Sequence, residues 1–157
     1  MEKETLKRIF YFLEKKGEHI IPLPVKIKLA MPITKEDLNV KGDLSFTHTN
    51  ITSLPEGLIV RGNLYLTYSN ITSLPEGLIV RGNLYLSYSN ITSLPKGLKV
   101  GGYLILGFTK VSSLPEGLKV GGNLYIDNTP LKKYTNKELR EMIKPGFIKG
   151  KIYRRYL

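Results

Sequence analysis

Apolar residues return along the chain with a period of twenty, from residue 31 to residue 131. Two successive stretches, residues 51–70 and 71–90, differ only where Thr67 is replaced by Ser87. Within the repeat, Leu64 and Leu66 alternate with polar neighbours, which is typical of a strand with one inward face. A strict repeat of this length, with no insertion, predicts a solenoid of five stacked coils.

Six apolar columns run through these coils. Their first members are Val40, Leu44, Phe46, Ile51, Leu54 and Leu58. Six buried side chains contribute about 9–18 kcal/mol. Ordering a coil's backbone costs about 20–40 kcal/mol. A single coil is therefore unstable, so the coils must stack and the two ends of the stack must be capped.

Two smaller features of the repeat carry structural predictions. A glycine recurs at positions 42, 62, 82, 102 and 122, where we expect neighbouring coils to approach too closely for a Cβ. The residues before it, Ile59-Val60 in the second coil, indicate an additional short strand. Each coil is thus expected to carry extended backbone on two sides.

The two ends of the chain have a different pattern. Leu6, Ile9, Phe10 and Leu13 have helical spacing and Gly17 follows them, which predicts an amphipathic helix. The alternation in residues 25–29 predicts a strand. We therefore define residues 1–30 as an N-terminal helical cap with a strand leading into the repeats at 31–131.

Residues 132–157 are predicted to form a basic C-terminal cap. Thr135 and Glu138 have the spacing of a capping box at the start of a helix, and Pro145-Gly146 ends that helix. Residues 147–153 are then expected to be a closing strand or an extended tail. The fold class is accordingly a mainly β repeat solenoid with a helical cap at each end.

The motif Leu54-Pro55, Leu64-Tyr65-Leu66 and Ile71 resembles the twenty-residue bacterial leucine-rich repeat. That repeat occurs in secreted effectors of the YopM and IpaH class and in small proteins of bacteriophages and mobile elements. The resemblance covers residues 31–131 and implies a right-handed stack of parallel strands with a protein-binding surface. The ligase domain of the IpaH class is not implied, because this chain has no cysteine.

The sequence departs from that family at the ladder position, where the family usually has asparagine. The chain has hydroxyl residues there instead: Thr49, Ser69, Ser89, Thr109 and Thr129. We expect each hydroxyl to bond to the backbone of the neighbouring coil.

The net charge of +11 is uneven along the chain. Lys/Arg and Asp/Glu number seven and four in residues 1–32, eight and seven in 33–130, and nine and two in 131–157. An acidic partner is therefore expected to meet the C-terminal end first. The chain shows neither a signal-peptide pattern nor an apolar run long enough to span a membrane, so we expect a cytoplasmic protein, in the host cytoplasm if it is viral.

Outward positions of the central strands form a candidate protein-binding face. Its residues are Asn63, Tyr65, Tyr68, Asn83, Tyr85, Tyr88, Tyr103, Phe108 and Tyr125. Tyrosine supplies large, rigid contact area with a polar tip. The alternative is a self-stacking aromatic ladder that only stabilises the sheet.

The basic tail is a second candidate site. Charged and aromatic residues interleave in it: Lys149, Lys151, Tyr153, Arg154, Arg155 and Tyr156. Such a pattern is typical of nucleic-acid contacts, or of an acidic partner's contacts. The alternative is a solubilising cap.

The leading hypothesis is a protein-binding module encoded by a phage or mobile element, acting as an adaptor or as an inhibitor of a host or defence protein. The alternatives are a nucleic-acid-binding protein and a structural, self-assembling component that forms homo-oligomers. Enzymatic activity is not expected, because His19 and His48 lie in different segments and no triad, metal cluster or phosphate loop is present. No cofactor or metal is expected.

Overall fold

The computed structural model describes residues 3–17 and 21–155. The chain divides into two compact units, Met1–Leu38 and Asn39–Leu157. In the described ranges, no helix has the length and apolarity needed to cross a membrane.

The N-terminal unit contains two helices, α1 (Lys3–Lys15) and α2 (Leu23–Leu29). The predicted N-terminal helix is thus confirmed, and Gly17 follows it with a φ of 68°. The core of this unit is small. It consists of Ile21, Leu29 and Met31, with Leu6, Phe10 and Val25 packed against them.

The strand predicted over residues 25–29 is wrong, because these residues belong to α2. Its buried side chains are Leu23, Lys26 and Leu29, which have helical rather than alternating spacing. Lys26 is 1% exposed, and its Nζ donates to Asp37 Oδ2 at 2.8 Å and pairs with Glu14. The alternation of polar and apolar residues suggested a strand because it assigned Lys26 to a polar, exposed face.

The second unit is a β-solenoid with two parallel sheets of six strands each, which confirms the predicted fold class. The first sheet contains β1 (Asn39–Val40), β3 (Ile59–Val60), β5 (Ile79–Val80), β7 (Lys99–Val100), β9 (Lys119–Val120) and β11 (Phe147–Ile148). The second sheet contains β2 (Leu44–Ser45), β4 (Leu64–Tyr65), β6 (Leu84–Tyr85), β8 (Leu104–Ile105), β10 (Leu124–Tyr125) and β12 (Ile152–Tyr153).

Successive coils stack in register, because each strand from β1 to β8 pairs with the strand twenty residues further on. Leu64 is paired with Leu84, and Leu64 N donates to Asn83 O at 2.9 Å. The inward Leu64 and Leu84 are fully buried. A Cβ at Gly82 would lie 2.7 Å from the carbonyl carbon of Gly62, so the expected close approach of coils is confirmed.

The C-terminal residues close the solenoid. A 3₁₀ turn (Pro130–Lys133) leads to α3 (Asn136–Met142), which begins with the predicted Thr135–Glu138 capping box. Arg140 of α3 donates to the carbonyl oxygens of Ile148 and Gly150. Within residues 147–153, β11 and β12 pair with β9 and β10, so this segment supplies closing strands rather than an extended tail.

Candidate binding face and cleft

A tight turn follows each of the strands β2, β4, β6, β8 and β10 and places one residue per coil in the left-handed conformation. We call these residues the turn column: His48, Tyr68, Tyr88, Phe108 and Asn128, with φ between 49° and 60°. The next residue closes the turn, as where Ser89 Oγ donates to Leu86 O at 2.6 Å. The hydroxyl residues at the ladder position therefore bond within their own coil. The predicted bond to the backbone of the neighbouring coil is wrong.

The rings of the turn column stack on one another. Centroid distances are 4.8 Å for His48–Tyr68, 4.6 Å for Tyr68–Tyr88 and 4.4 Å for Tyr88–Phe108, with interplanar angles of 6°, 9° and 11°. Tyr68 is 48% exposed, and Tyr88 and Phe108 are 43% exposed. The rings thus form a self-stacked ladder that also presents its edges to solvent.

A second aromatic column lies on the strands themselves, three residues earlier. This strand column contains Tyr65, Tyr85, Ile105, Tyr125 and Tyr153. Tyr65 stacks on Tyr85 at 4.7 Å and Tyr125 on Tyr153 at 5.0 Å, with Ile105 between the two pairs. These tyrosines are half-buried, so they offer less free surface than the turn column does.

Asn63 and Asn83, which were predicted to lie on the binding face, form a ladder between coils. Asn63 Oδ1 accepts from the backbone N–H of Asn83 at 2.8 Å, and Asn83 Oδ1 accepts from that of Tyr103 at 2.7 Å. Asn83 Nδ2 also donates to the Tyr85 hydroxyl at 3.2 Å. Tyr103 takes the place of an amide in this ladder and is 43% exposed, with its ring edge-on to Tyr125.

A cleft of about 730 Å³ lies between the two aromatic columns, towards the C-terminal end of the second sheet. Its lining residues are Thr67, Tyr85, Ser87, Tyr88, Phe108, Asp127, Asn128, Lys132, Arg154 and Arg155. The volume is within the usual range for small-molecule sites. Tyr85, Tyr88 and Phe108 were predicted site residues, and the structure brings them together here.

The floor of the cleft is formed where the repeat changes. The outward position between the aromatic columns is Thr67, Ser87, Gly107 and Asp127 in successive coils. Since Gly107 has no side chain, the Asp127 carboxylate occupies that space, and a Cβ at Gly107 would lie 2.6 Å from Asp127 Oδ1. The prediction from sequence missed Asp127, although a glycine and an acid in a column of hydroxyl residues marked the place.

Two buried polar atoms of this floor lack a partner among the described residues. They are Asp127 Oδ1 and Ser87 Oγ, and their residues are 6% and 9% exposed. Burial raises the pKa of the Tyr88 phenol above its usual value, and the charges of Tyr68 and Asp127 add to the effect. A carboxylate buried without a donor is costly, so the cleft favours a ligand that supplies one.

Positive charge borders the other end of the cleft. Arg154 is held in place, because it donates to Asn136 Oδ1 at 2.6 Å and to Tyr134 O at 2.8 Å. Arg155 and Lys132 are exposed. The cleft therefore combines one buried carboxylate with three cationic side chains.

Only part of the predicted basic tail reaches this cleft. Arg154 and Arg155 line it, whereas Lys149 and Lys151 are exposed between β11 and β12 and are not among the lining residues. Tyr153 is stacked on Tyr125. Tyr156 lies outside the described residues.

The comparisons with known proteins found no match for this chain. No family model matches the chain. No curated protein and no solved structure matches it either.

Proposed function

We propose that this chain is a protein-binding repeat module, and that the turn column and strand column together form its binding face. The main support is the backbone of the turn column. Four successive coils hold an imidazole, phenol or phenyl residue at a positive φ, where glycine or asparagine would be cheaper. Such strain, on the order of 1–3 kcal/mol per residue, is typical of functional positions.

Stacking offsets part of this strain, since aromatic pairs contribute about 0.5–1.5 kcal/mol beyond burial. Stacking alone gives no reason to keep nearly half of each ring exposed. Exposed tyrosine and phenylalanine, gathered in one column beside the second sheet, are residue types that dominate protein interfaces. The solenoid unit carries sixteen Lys/Arg and seven Asp/Glu, a difference of +9, so the proposed partner has an acidic surface.

The proposal extends to the biological role. The regular twenty-residue period and parallel sheets are consistent with the leucine-rich-repeat kinship suggested by the sequence. We propose that the protein is encoded by a phage or mobile element and acts in the cytoplasm as an adaptor or as an inhibitor of a host or defence protein.

The test is affinity capture from the native host with wild-type protein and with Tyr68→Asn/Tyr88→Asn. Asparagine tolerates positive φ, so this double variant removes two rings while relieving backbone strain. We expect the variant to fold and to lose the partner that the wild type captures, with binding then measured on purified components.

The matched control is Ile79→Thr, which changes a half-buried outward residue of β5 on the first sheet. It should capture the same partner as the wild type. Equal capture by all three proteins would remove the turn column from the binding surface.

A further inference from the structure

We propose that the cleft between the aromatic columns binds a nucleotide, with guanine as the best-matched base. The nucleotide can be free or part of a single strand, because the recognised chemistry is the same. The site shares Arg154 and Arg155 with the predicted basic tail, but its other lining residues belong to the repeats and to the 3₁₀ turn. It also does not require the protein partner proposed above.

The buried carboxylate defines the first requirement on the ligand. Asp127 is 6% exposed, and no described residue donates to its Oδ1. An ionised carboxylate is an acceptor only, with two oxygens that suit a pair of parallel N–H donors. Guanine presents such a pair along its Watson–Crick edge, through its ring N1–H and its exocyclic amine.

The aromatic walls define the second requirement. Phe108 is the last ring of the stacked turn column: one of its faces lies against Tyr88 at 4.4 Å, and Asn128 is the next residue of the column. Phe108 is 43% exposed and lines the cleft with Tyr85 and Tyr88, so its exposed surface is available for a planar group to pack on. Nucleic-acid bases stack on aromatic side chains of this kind.

The cationic end defines the third requirement and decides between ligand classes. Lys132, Arg154 and Arg155 outnumber the single carboxylate of Asp127, so a guanidinium or ammonium ligand would enter a site of net positive charge. A ligand with a neutral donor edge, a planar ring and an anionic group satisfies all three features. A nucleotide has these three parts, with its phosphate placed towards the arginines.

The experiment is calorimetric titration of the full chain with GMP, IMP, a short guanine-containing oligonucleotide and arginine amide. IMP keeps the ring N–H but lacks the exocyclic amine, so we expect it to bind about tenfold more weakly than GMP. Binding of GMP would assign the site to free nucleotides. Binding of the oligonucleotide with little binding of GMP would assign it to a single strand.

Three variants link the binding to the cleft. Asp127→Asn keeps the shape of the side chain and should weaken GMP binding by about tenfold or more. Phe108→Leu should weaken it by about tenfold through lost stacking. Lys119→Gln removes a positive charge on the first sheet, away from the cleft, and should bind GMP like the wild type.

Several results would overturn the proposal. One is that Asp127→Asn leaves GMP binding unchanged, and another is that Lys119→Gln weakens GMP binding as much as the cleft variants do. The others are saturable binding of arginine amide without binding of GMP, and no binding of either nucleotide probe at millimolar concentration. None of these results changes the expected behaviour of Tyr68→Asn/Tyr88→Asn in partner capture, so the two proposals fail independently.

Discussion

At the scale of single residues, the turn after each second-sheet strand depends on a hydroxyl that the repeat never omits. In the middle coils Ser69, Ser89 and Thr109 donate to the carbonyl three residues earlier, at 2.6 to 2.7 Å. The same carbonyl of Leu86 also accepts from the backbone N–H of Ser89 at 3.1 Å. The hydroxyl thus completes a turn whose central residue is held at positive φ.

Ser89→Ala should therefore destabilise the solenoid by about 1 kcal/mol, since one buried hydrogen bond is lost while the Leu86 carbonyl keeps its backbone donor. Urea unfolding of the wild type and the variant measures this difference. The control is Ser93→Ala in the next repeat, an exposed position expected to change stability by less than about 0.5 kcal/mol. Equal stability of both variants would mean that the turn does not need the hydroxyl.

At the scale of elements, the N-terminal unit joins α1 and α2 through a buried ion network. Lys26 of α2 pairs with Glu14 of α1 and with Asp37. Burial raises the pKa of Asp37, but hydrogen bonds from Lys26 and Thr34 outweigh it and leave the pKa below its ordinary 3.8. Burial lowers the pKa of Lys26, but its bonds to Asp37 and Glu14 leave it above 10.5.

These shifts set a pH window for the N-terminal unit. The lowered pKa of Asp37 adds stability that is complete above pH 3.8 and is lost as the pH falls through the folded value. The raised pKa of Lys26 adds stability that is complete below pH 10.5 and is lost as the pH rises through its folded value. We expect amide signals of α1 and α2 to weaken below pH 3.8, as measured by NMR.

Lys26→Met should lower the stability of the N-terminal unit at neutral pH and weaken its acid dependence, because Asp37 keeps its burial but loses the cation that lowers its pKa. Lys28→Met, on the exposed face of the same helix, is the matched control and should retain the wild-type profile. Identical profiles for the two variants would show that the buried network does not set the acid limit.

The capping box of α3 carries a second prediction at this scale. Thr135 Oγ1 accepts from Glu138 N at 3.2 Å, and Glu138 Oε2 accepts from Thr135 N at 2.7 Å. Thr135→Ala should cost about 1 kcal/mol, measured by urea unfolding, and Thr135→Ser should retain wild-type stability. Loss of the cap should also destabilise β11 and β12, since Arg140 of α3 donates to Ile148 O and Gly150 O.

The elements that could be predicted from sequence are those whose pattern repeats, together with α1 and α3, which have helical spacing or a capping box. Ile59-Val60 and Leu64-Tyr65 recur with constant chemistry, so both sheets followed from one coil. The prediction for residues 25–29 failed, because an inward Lys26 is compensated by Asp37 and Glu14, which sequence spacing does not place beside it. The role of Asp127 was also hidden, since it depends on the missing side chain of Gly107 one coil away.

At the scale of the whole molecule, the candidate site lies where the solenoid stops repeating itself. The first full coils are almost identical, whereas Gly107, Phe108, Asp127 and the closing residues Arg154 and Arg155 are each used once. Regular coils supply the scaffold, and the C-terminal irregularities supply a buried charge, an exposed ring and a cationic rim. Closure of the stack and formation of the cleft thus use the same segment.

The closing strands should also keep the solenoid from associating through its edge. Leu124 N donates to Lys151 O at 2.9 Å and Ile126 N to Tyr153 O at 2.8 Å, while Ile148 and Ile152 are buried in register with Val120 and Leu124. Removal of residues 147–157 would leave these donors and apolar side chains on an open strand edge, which is a template for pairing with another chain.

We therefore expect a chain ending at residue 146 to self-associate in sedimentation velocity, with a weight-average coefficient that rises with concentration. The full-length variant Lys149→Gln/Lys151→Gln removes charge from the same segment but keeps its backbone bonds, so it should sediment like the wild type. A truncated chain that sediments at the mass of one folded copy, independent of concentration, would contradict a capping role for β11 and β12. Because truncation uncaps the stack, point variants such as Asp127→Asn separate binding from folding, whereas deletion of the tail cannot.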